Sequence, residues 1–219
     1  MWGWGHFIGA HFDTTRLNIE NHAIGGRSSR TFLTEGRWDR ILTKLKPGDF
    51  VLMQFGHNDG GAINDTSRAR GSLKGIGDET ETIDNMLTKK NEVVHTYGWY
   101  LKKYVADAQA KGAIPLVVSL VPRNVWTNGK VARAGDSYGK WASEVAQKQG
   151  AYFLDLNEVV AKKYDPLGDS TKLQATYFVK DHTHTNAAGA RVNAAAVVEA
   201  LQQQKSCPLN QYVVTRAPR

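Results

Sequence analysis

The sequence predicts an α/β fold with a mostly parallel sheet. The chain has 219 residues, 41% of them hydrophobic, which is enough for one domain with a full core. Residues 50–55 form a continuous apolar run, which is typical of a parallel strand buried on both faces. Predicted strands also alternate with predicted helices along the chain, as they do in this class. We therefore expect a single domain of alternating strands and helices over residues 1–207 and a tail over residues 208–219.

The first quarter of the chain supplies two helices and two strands. Residues 4–12 and 29–45 have the apolar spacing of helices, and residues 18–23 are predicted to form a short strand that ends at a pair of glycines. Turn residues then precede the apolar strand over residues 50–55, which we expect at the centre of the sheet. The alternation therefore begins with a helix, where a parallel sheet would normally begin with a strand.

The remaining elements follow from the same criteria. Residues 60–92 are rich in Gly, Asn, Asp, Thr, Ser and Lys, so we expect a long surface excursion there. Apolar residues recur at three- and four-residue spacing over residues 93–108, which predicts an amphipathic helix, and a strand follows over residues 114–121. The later predicted elements are helix 137–149, strand 152–155, helix 157–164 and helix 186–203.

The composition excludes several classes of partner. Lys and Arg outnumber Asp and Glu by 28 to 21, but these basic residues are spread along the chain. No apolar stretch reaches the roughly 18 residues that cross a bilayer. We therefore expect no nucleic acid and no membrane as partners. Cys207 is the only cysteine, so no disulfide can form within the chain, and the localisation is unknown from sequence.

The first candidate site is the cluster Gly25-Gly26-Arg27-Ser28-Ser29, which follows a predicted strand. A double glycine lets backbone N–H groups approach a ligand closely, and such groups at a helix N-terminus can stabilise an oxyanion. A turn followed by a serine helix cap is the alternative interpretation.

The second candidate site directly follows the apolar strand and spans residues 55–61. The side-chain amide of Asn58 can donate a hydrogen bond to a developing negative oxygen. His57 and Asp59 could each titrate or brace the loop. An Asx turn is the alternative interpretation.

The third candidate site is an Asp-x-x-His pair, Asp181 and His184. A carboxylate that binds one ring nitrogen orients the imidazole and leaves the other nitrogen as a base toward a hydroxyl nucleophile. His182 and His184 could instead be metal ligands, but no second carboxylate or cysteine is nearby, so we expect no metal. A helix start at Asp181 or Thr185 is compatible with either interpretation.

Together these clusters resemble the conserved blocks of the SGNH (GDSL-like) hydrolases. The resemblance consists of a glycine block at Gly26, an asparagine block at residues 56–59 and an Asp-x-x-His block at residues 181–184. Residues 25–32, 35–38 and 55–61 are also similar to rhamnogalacturonan acetylesterases and related carbohydrate acetylesterases. The resemblance implies a three-layer α/β/α sandwich with a mostly parallel sheet, the flavodoxin-like SGNH fold.

The resemblance also implies a role for each matching residue. Gly26 and Asn58 would donate to the oxyanion hole, His184 would be the catalytic general base, and Asp181 would orient it. In the family, the nucleophilic serine belongs to a Gly-Asp-Ser block on the opening strand, and no such block precedes Gly26 here. We therefore expect an N-terminally truncated family domain that lacks its first central strand.

The absence of that block leads to two further expectations. Activity should be weak or altered, with Ser28 or Ser29 as a candidate substitute nucleophile. The position of the first strand should be filled by the strand-like residues 211–215, or by their copy from a second chain, which would give a homo-oligomer by strand exchange.

These expectations combine into one functional hypothesis. The chain should be a carbohydrate O-acetylesterase of the serine-hydrolase type, needing no cofactor, that acts on an acetylated pectic or other plant polysaccharide or on a small ester. A net charge of +7 suits a substrate rich in galacturonate. The alternative is a non-catalytic carbohydrate-binding or remnant protein on the same scaffold.

Overall fold

A computed structural model describes residues 1–214 of the chain. The chain divides into two compact units. Unit 1 comprises residues 1–23 and 121–134 together with the chain from Leu154 onward, and unit 2 comprises residues 24–120 and 135–153. The single domain predicted over residues 1–207 stays a prediction. Within the described residues, none of the helices combines the length and the apolar character that a bilayer span requires.

Seven α-helices and seven strands are assigned in the described residues. In chain order they are α1 (Ser29–Thr34), α2 (Arg37–Leu42), β1 (Phe50–Met53), β2 (Thr80–Asp84), β3 (Asn91–His95), α3 (Tyr97–Ala110), β4 (Ile114–Val118), β5 (Trp126–Thr127), β6 (Lys130–Val131), α4 (Tyr138–Gln149), β7 (Tyr152–Leu154), α5 (Leu156–Tyr164), α6 (Ser170–Tyr177) and α7 (Ala187–Gln203). Short 3-10 helices cover Trp4–His6, Ile8–His11, Asp165–Leu167 and Pro208–Tyr212.

The parallel sheet consists of β1, β4 and β7, in that order. β1 and β4 run parallel, with Phe50 opposite Ile114 and Met53 opposite Val117. β4 is buried from its second residue onward, and α3 and α4 pack against it and against each other. The predicted α/β class, with a parallel sheet and packed helices, is confirmed.

β1 lies at one edge of this sheet in the described part of the chain, so the predicted central position is wrong there. Only Met53 of its four residues is buried, and the other three are half-buried. An apolar run predicts burial, but it does not say whether another strand lies on each side. Residues 18–23, predicted to be a strand, are irregular. A strand requires a paired neighbour for its backbone hydrogen bonds, and a six-residue sequence pattern cannot show whether it has one.

The helix predicted over residues 29–45 is two helices. Gly36 separates α1 from α2 and has a φ of 65°, in the left-handed region that glycine adopts without steric cost. Sequence spacing alone did not show this break, because the apolar periodicity continues through it.

The excursion predicted over residues 60–92 contains regular structure. β2 pairs antiparallel with β3, with Thr80 opposite His95 and Asp84 opposite Asn91. The helix predicted from residue 93 begins instead at Tyr97, because the Thr96 side chain accepts a hydrogen bond of 3.0 Å from the backbone N–H of Trp99. The β2–β3 hairpin therefore leads directly into α3.

Unit 1 is built around α7. α5, α6 and the two N-terminal 3-10 helices pack against it. The predicted helices over residues 157–164 and 186–203 are confirmed as α5 and α7. α6 was not predicted, and its start is marked by Asp169, whose side chain accepts from the backbone N–H of Lys172 at 2.8 Å.

The C-terminal segment adds to unit 1. Where a strand was predicted from residue 211, a 3-10 helix continues to Tyr212, and Val213 then forms an isolated antiparallel bridge with Phe12. The backbone N–H of Val214 donates to the carbonyl of His11 at 3.0 Å. The described part of the tail therefore pairs with the N-terminal segment and is not a strand of the parallel sheet. Thr215 lies outside the described residues.

Candidate active site

Two loops of unit 2 carry the residues predicted to stabilise an oxyanion. Gly26 precedes α1 and has a φ of 80°, and Asn58 lies in the loop that follows β1. The Nδ2 of Asn58 donates a hydrogen bond of 2.9 Å to the carbonyl oxygen of Arg27. An amide nitrogen carries two hydrogens, so the second N–H of Asn58 can serve an oxyanion beside Gly26.

Asp59 stabilises the loop over residues 55–61, which we call the asparagine loop, through buried hydrogen bonds. Its Oδ2 accepts from the backbone N–H of Gly56 at 3.0 Å. Its Oδ1 accepts from the Ser29 backbone N–H at 3.0 Å, from the Ser29 hydroxyl, and from the Ser72 hydroxyl at 3.2 Å. Complete burial raises the pKa of Asp59 to about 6, although these hydrogen bonds act in the opposite direction. Asp59 therefore links three segments of unit 2.

Ser28 and Ser29, the candidate substitute nucleophiles, are both fully buried. Ser28 caps α1: its Oγ accepts from the backbone N–H of Thr31 at 3.0 Å. The Ser29 hydroxyl donates to Asp59. A nucleophile must reach an ester carbon, so this burial and these hydrogen bonds argue against either serine in that role.

A buried ion pair supports the same region. The guanidinium of Arg30 has no exposed surface and binds Glu92 of β3 through Nε at 2.7 Å and Nη2 at 2.8 Å. Its Nη1 donates to the carbonyl oxygens of Ile63 and Gly71. Sequence reasoning missed this pair, because a charged residue at the start of a predicted helix is expected at the surface.

Tyr138, the first residue of α4, packs on the asparagine loop. A Cβ placed on Gly56 would make a tight contact of 3.2 Å with the Cβ of Tyr138, and the φ of 135° at Gly56 also favours glycine. Burial raises the pKa of the Tyr138 hydroxyl to about 12. This contact was also missed, because the sequence does not show which helix reaches the loop.

The Asp-x-x-His pair is formed within unit 1. The Nδ1 of His184 lies 2.7 Å from Oδ2 of Asp181, and the His184 backbone N–H donates to Oδ1 of the same carboxylate at 2.8 Å. The hydrogen bond from the His184 side chain is the main reason that the pKa of Asp181 lies well below its usual range. Both side chains are about half exposed. This arrangement holds an ionised carboxylate against an accessible imidazole.

The loop that carries this pair is held at several points. Phe178 and Thr185 form an antiparallel bridge across it. The backbone N–H of Asn124 donates to the carbonyl of His182 at 2.7 Å, and the backbone N–H of Trp2 donates to that of Thr185 at 3.1 Å. The position of the imidazole is therefore set by the fold of unit 1.

The structure thus places Asn58 against Arg27, the residue after Gly26, in unit 2, and Asp181 against His184 in unit 1. Two Gly-Asp-Ser tripeptides occur elsewhere, at residues 135–137 and 168–170. Both lie at helix starts: Ser137 precedes α4, and Ser170 is the first residue of α6.

Among residues 1–214, no cluster of three or more His, Cys, Asp and Glu side chains is arranged to hold a metal ion.

Comparison with known proteins shows the family of the chain. The family model described as GDSL-like lipase/acylhydrolase matches residues 2–192. The chain is 37% identical to a rhamnogalacturonan acetylesterase of Emericella nidulans, over 91% of this chain and 78% of that protein. It is 30% identical to the probable rhamnogalacturonan acetylesterase YesY of Bacillus subtilis, over 97% of this chain and 88% of that protein.

Solved structures share the fold at lower sequence identity. Protein YxiM of Bacillus subtilis superposes with a TM-score of 0.74 at 23% identity, covering 94% of this chain and 51% of that one. The chain therefore spans about half the length of YxiM. The acetylxylan esterase Axe2 of Geobacillus stearothermophilus superposes with a TM-score of 0.60 at 16% identity, covering 98% of this chain and 84% of that one.

Proposed function

Because the chain belongs to the GDSL-like lipase/acylhydrolase family, we propose that it is a carbohydrate O-acetylesterase of the serine-hydrolase type. Its substrate is an acetylated polysaccharide of the pectic kind. This choice is supported by the Emericella nidulans and Bacillus subtilis YesY relatives, which are described as a rhamnogalacturonan acetylesterase and a probable one. The net charge of +7 also favours an acidic polysaccharide.

The hydrogen bond between Asp181 and His184 is the observation that carries this proposal. Its length of 2.7 Å, from Nδ1 to Oδ2, is that of a strong charge-assisted hydrogen bond. Because Nδ1 donates to the carboxylate, the neutral imidazole has its lone pair on Nε2. Nε2 is then the atom that accepts a proton from the attacking hydroxyl or water, and Asp181 stabilises the imidazolium that forms.

Gly26 and Asn58 supply the oxyanion hole. When the acetyl carbonyl is attacked, negative charge develops on its oxygen, and the Gly26 N–H and the Asn58 Nδ2 donate to it. Donors fixed in advance need no reorganisation during the reaction, which is why each is worth about 10² to 10³ in rate. The hydrogen bond from Asn58 to Arg27 and the burial of Asp59 support this preorganisation.

The strength of the activity depends on the nucleophile. No Gly-Asp-Ser strand precedes Gly26 in these 219 residues. For a protein of this sequence we therefore propose weak or altered esterase activity, in which His184 activates water directly. Loss of a nucleophile typically leaves about 10³ to 10⁴ over the uncatalysed rate, which the oxyanion hole and substrate binding still provide.

Hydrolysis of 4-nitrophenyl acetate tests the proposal. We expect the wild type to release 4-nitrophenol faster than the uncatalysed background. His184→Ala should reduce the rate to that background. Ser28→Ala should keep the wild-type rate once the rate is divided by the fraction of the protein that is folded. Labelling with a fluorophosphonate, followed by peptide mapping, shows whether any serine is activated. Equal rates for the wild type and His184→Ala would instead support the non-catalytic binding or remnant protein.

A further inference from the structure

We propose that Arg68 and Arg70 form a subsite for the carboxylate of a uronic acid residue in the substrate. This inference rests on the proposed function, because it places the subsite beside the glycine that would hold the acetyl oxygen. It assigns the recognition of an acidic sugar to two arginines in the loop between β1 and β2.

Arg70 is fixed next to Gly26. Its Nη1 donates to the carbonyl oxygen of Gly26 at 3.1 Å, and a Cβ placed on Gly26 would lie 3.6 Å from that same nitrogen. The side chain also runs along Gly61, whose Cβ position is 3.5 Å from Cγ of Arg70. One end of the guanidinium is thereby anchored, and the side chain is half-buried. An Arg held in this way loses little conformational freedom when it binds a ligand.

Two other guanidinium groups, those of Arg68 and Arg27, act on Arg70. Burial lowers its pKa, and the nearby Arg68 and Arg27 guanidinium groups lower it further, while Asp65 and Asp59 act in the opposite direction. In the described residues, neither Arg68 nor Arg70 forms an ion pair with a carboxylate. An anion at this position would relieve the repulsion between the guanidinium groups.

The neighbouring acidic side chains are already engaged. The Oδ1 of Asp65 accepts from the backbone N–H groups of Ser67, Arg68 and Ala69 at 2.7, 2.6 and 3.2 Å, and from the Ser67 hydroxyl at 3.0 Å. Glu35 binds both Arg27 and Arg37, at 2.9 and 2.6 Å. These hydrogen bonds and ion pairs organise the loops, and within the described residues none of these carboxylates forms an ion pair with Arg68 or Arg70.

The backbone between the two arginines is strained. Ala69 is buried and has a φ of 38°, in the left-handed region that residues other than glycine rarely adopt. Such conformations persist where the surrounding structure holds them, and they concentrate at functional sites. Here the Asp65 hydrogen bonds hold the turn, with Ala69 inside, Arg68 exposed and Arg70 half-buried.

A uronic acid residue matches this arrangement. It carries a carboxylate and the hydroxyl groups that can be acetylated on one sugar ring, so the ester could lie at Gly26 while the carboxylate meets the arginines. A planar guanidinium binds a carboxylate through two parallel hydrogen bonds. A neutral sugar offers no such group and would leave the arginines without the interaction, which favours the acidic substrate.

Isothermal titration calorimetry with tetragalacturonate and xylotetraose tests the subsite without any turnover. We expect the wild type to bind tetragalacturonate at least about tenfold more tightly than xylotetraose, since a hydrogen bond to a charged group contributes that much or more. Arg70→Gln and Arg68→Gln should each weaken tetragalacturonate binding by about tenfold, and Arg70→Lys should retain part of it.

Arg40→Gln on α2 is the matched control, because it makes the same change of charge at an exposed position outside the cluster. Arg68→Gln keeps the test decisive if Arg70→Gln fails to fold. The subsite proposal would be overturned if the wild type bound both oligosaccharides with equal affinity. It would also be overturned if Arg40→Gln weakened tetragalacturonate binding as much as Arg70→Gln and Arg68→Gln do. Tetragalacturonate binding without acetate release would refute the proposed function alone, whereas acetate release without that binding preference would refute the subsite alone.

Discussion

The carboxylate of Asp59 accepts a hydrogen bond of 3.0 Å from the backbone N–H of Ser29. Asp59 directly follows Asn58, and Ser29, the first residue of α1, lies three positions after Gly26. Asn58 and Gly26 are the two proposed oxyanion donors. This buried contact therefore joins the two segments that carry the donors of the proposed oxyanion hole.

The first prediction concerns the stability that Asp59 provides. Asp59→Asn replaces one acceptor oxygen with an amide donor that faces the N–H and hydroxyl groups around it. We expect this variant to lower the free energy of unfolding by about 1 to 3 kcal/mol, because buried donors lose their partner. Urea unfolding at neutral pH measures the change. Asp136→Asn, at an exposed position, should stay within about 0.5 kcal/mol of the wild type, and a similar loss in both variants would contradict the account.

The second prediction is a pH dependence with a defined sign. Burial raises the pKa of Asp59 to about 6 in the folded state, whereas an unfolded aspartate titrates near 3.9. Because its pKa is higher in the folded state, Asp59 binds its proton more tightly there than in the unfolded state. The contribution of this proton to the free energy of unfolding is therefore complete below about pH 4 and is lost as the pH rises through about 6. The loss is roughly 3 kcal/mol.

The difference in unfolding free energy between the wild type and Asp59→Asn isolates this titration from all others. It should shrink as the pH rises from about 4 to about 7. A difference that stays constant over this range would show that Asp59 does not titrate there.

The third prediction compares a buried ion pair with an exposed one. Arg30→Met removes the fully buried cation that pairs with Glu92, and we expect the free energy of unfolding to fall by about 3 to 5 kcal/mol. Lys102→Met breaks the 2.7 Å pair with the exposed Asp78 and should cost at most about 1 kcal/mol. Thermal and urea unfolding measure the loss of stability in each variant. An equal loss in both would contradict the predicted difference between the buried and the exposed ion pair.

The edge position of β1 leads to the fourth prediction. An apolar edge strand pairs readily with another chain, so we expect the protein to self-associate as its concentration rises. Val51→Lys should shift it toward the monomer in sedimentation velocity, while Val125→Lys, at an exposed position in unit 1, should not. A wild-type protein that stays monomeric at every concentration would contradict the homo-oligomer expected from the sequence.

Sequence patterns predicted the elements that depend on local chemistry. The Asp-x-x-His spacing implied the contact between Asp181 and His184, and a three-residue separation allowed one carboxylate to bind both the ring and the backbone N–H of the histidine. The apolar run predicted β1 as a strand. Its edge position could not be predicted, because the order of strands depends on pairing between distant segments.

The long-range contacts of the site were the part that sequence could not provide. Arg30 and Glu92 are separated by 62 positions, and Asn58 and Arg27 by 31. Each pair joins two segments that are distant in the sequence, and the packing of the sheet and helices decides their approach. Composition indicated a surplus of positive charge, but only the structure shows Arg70 beside Gly26.

Release of acetate from acetylated rhamnogalacturonan tests the central claim most directly. The wild type should release acetate above background, and Asn58→Ala should reduce the rate above background by about 10² to 10³ through loss of an oxyanion donor. Asp136→Asn should match the wild type. Wild-type release no greater than that of Asn58→Ala, with both proteins folded by circular dichroism, would contradict the assignment of this chain as a carbohydrate acetylesterase.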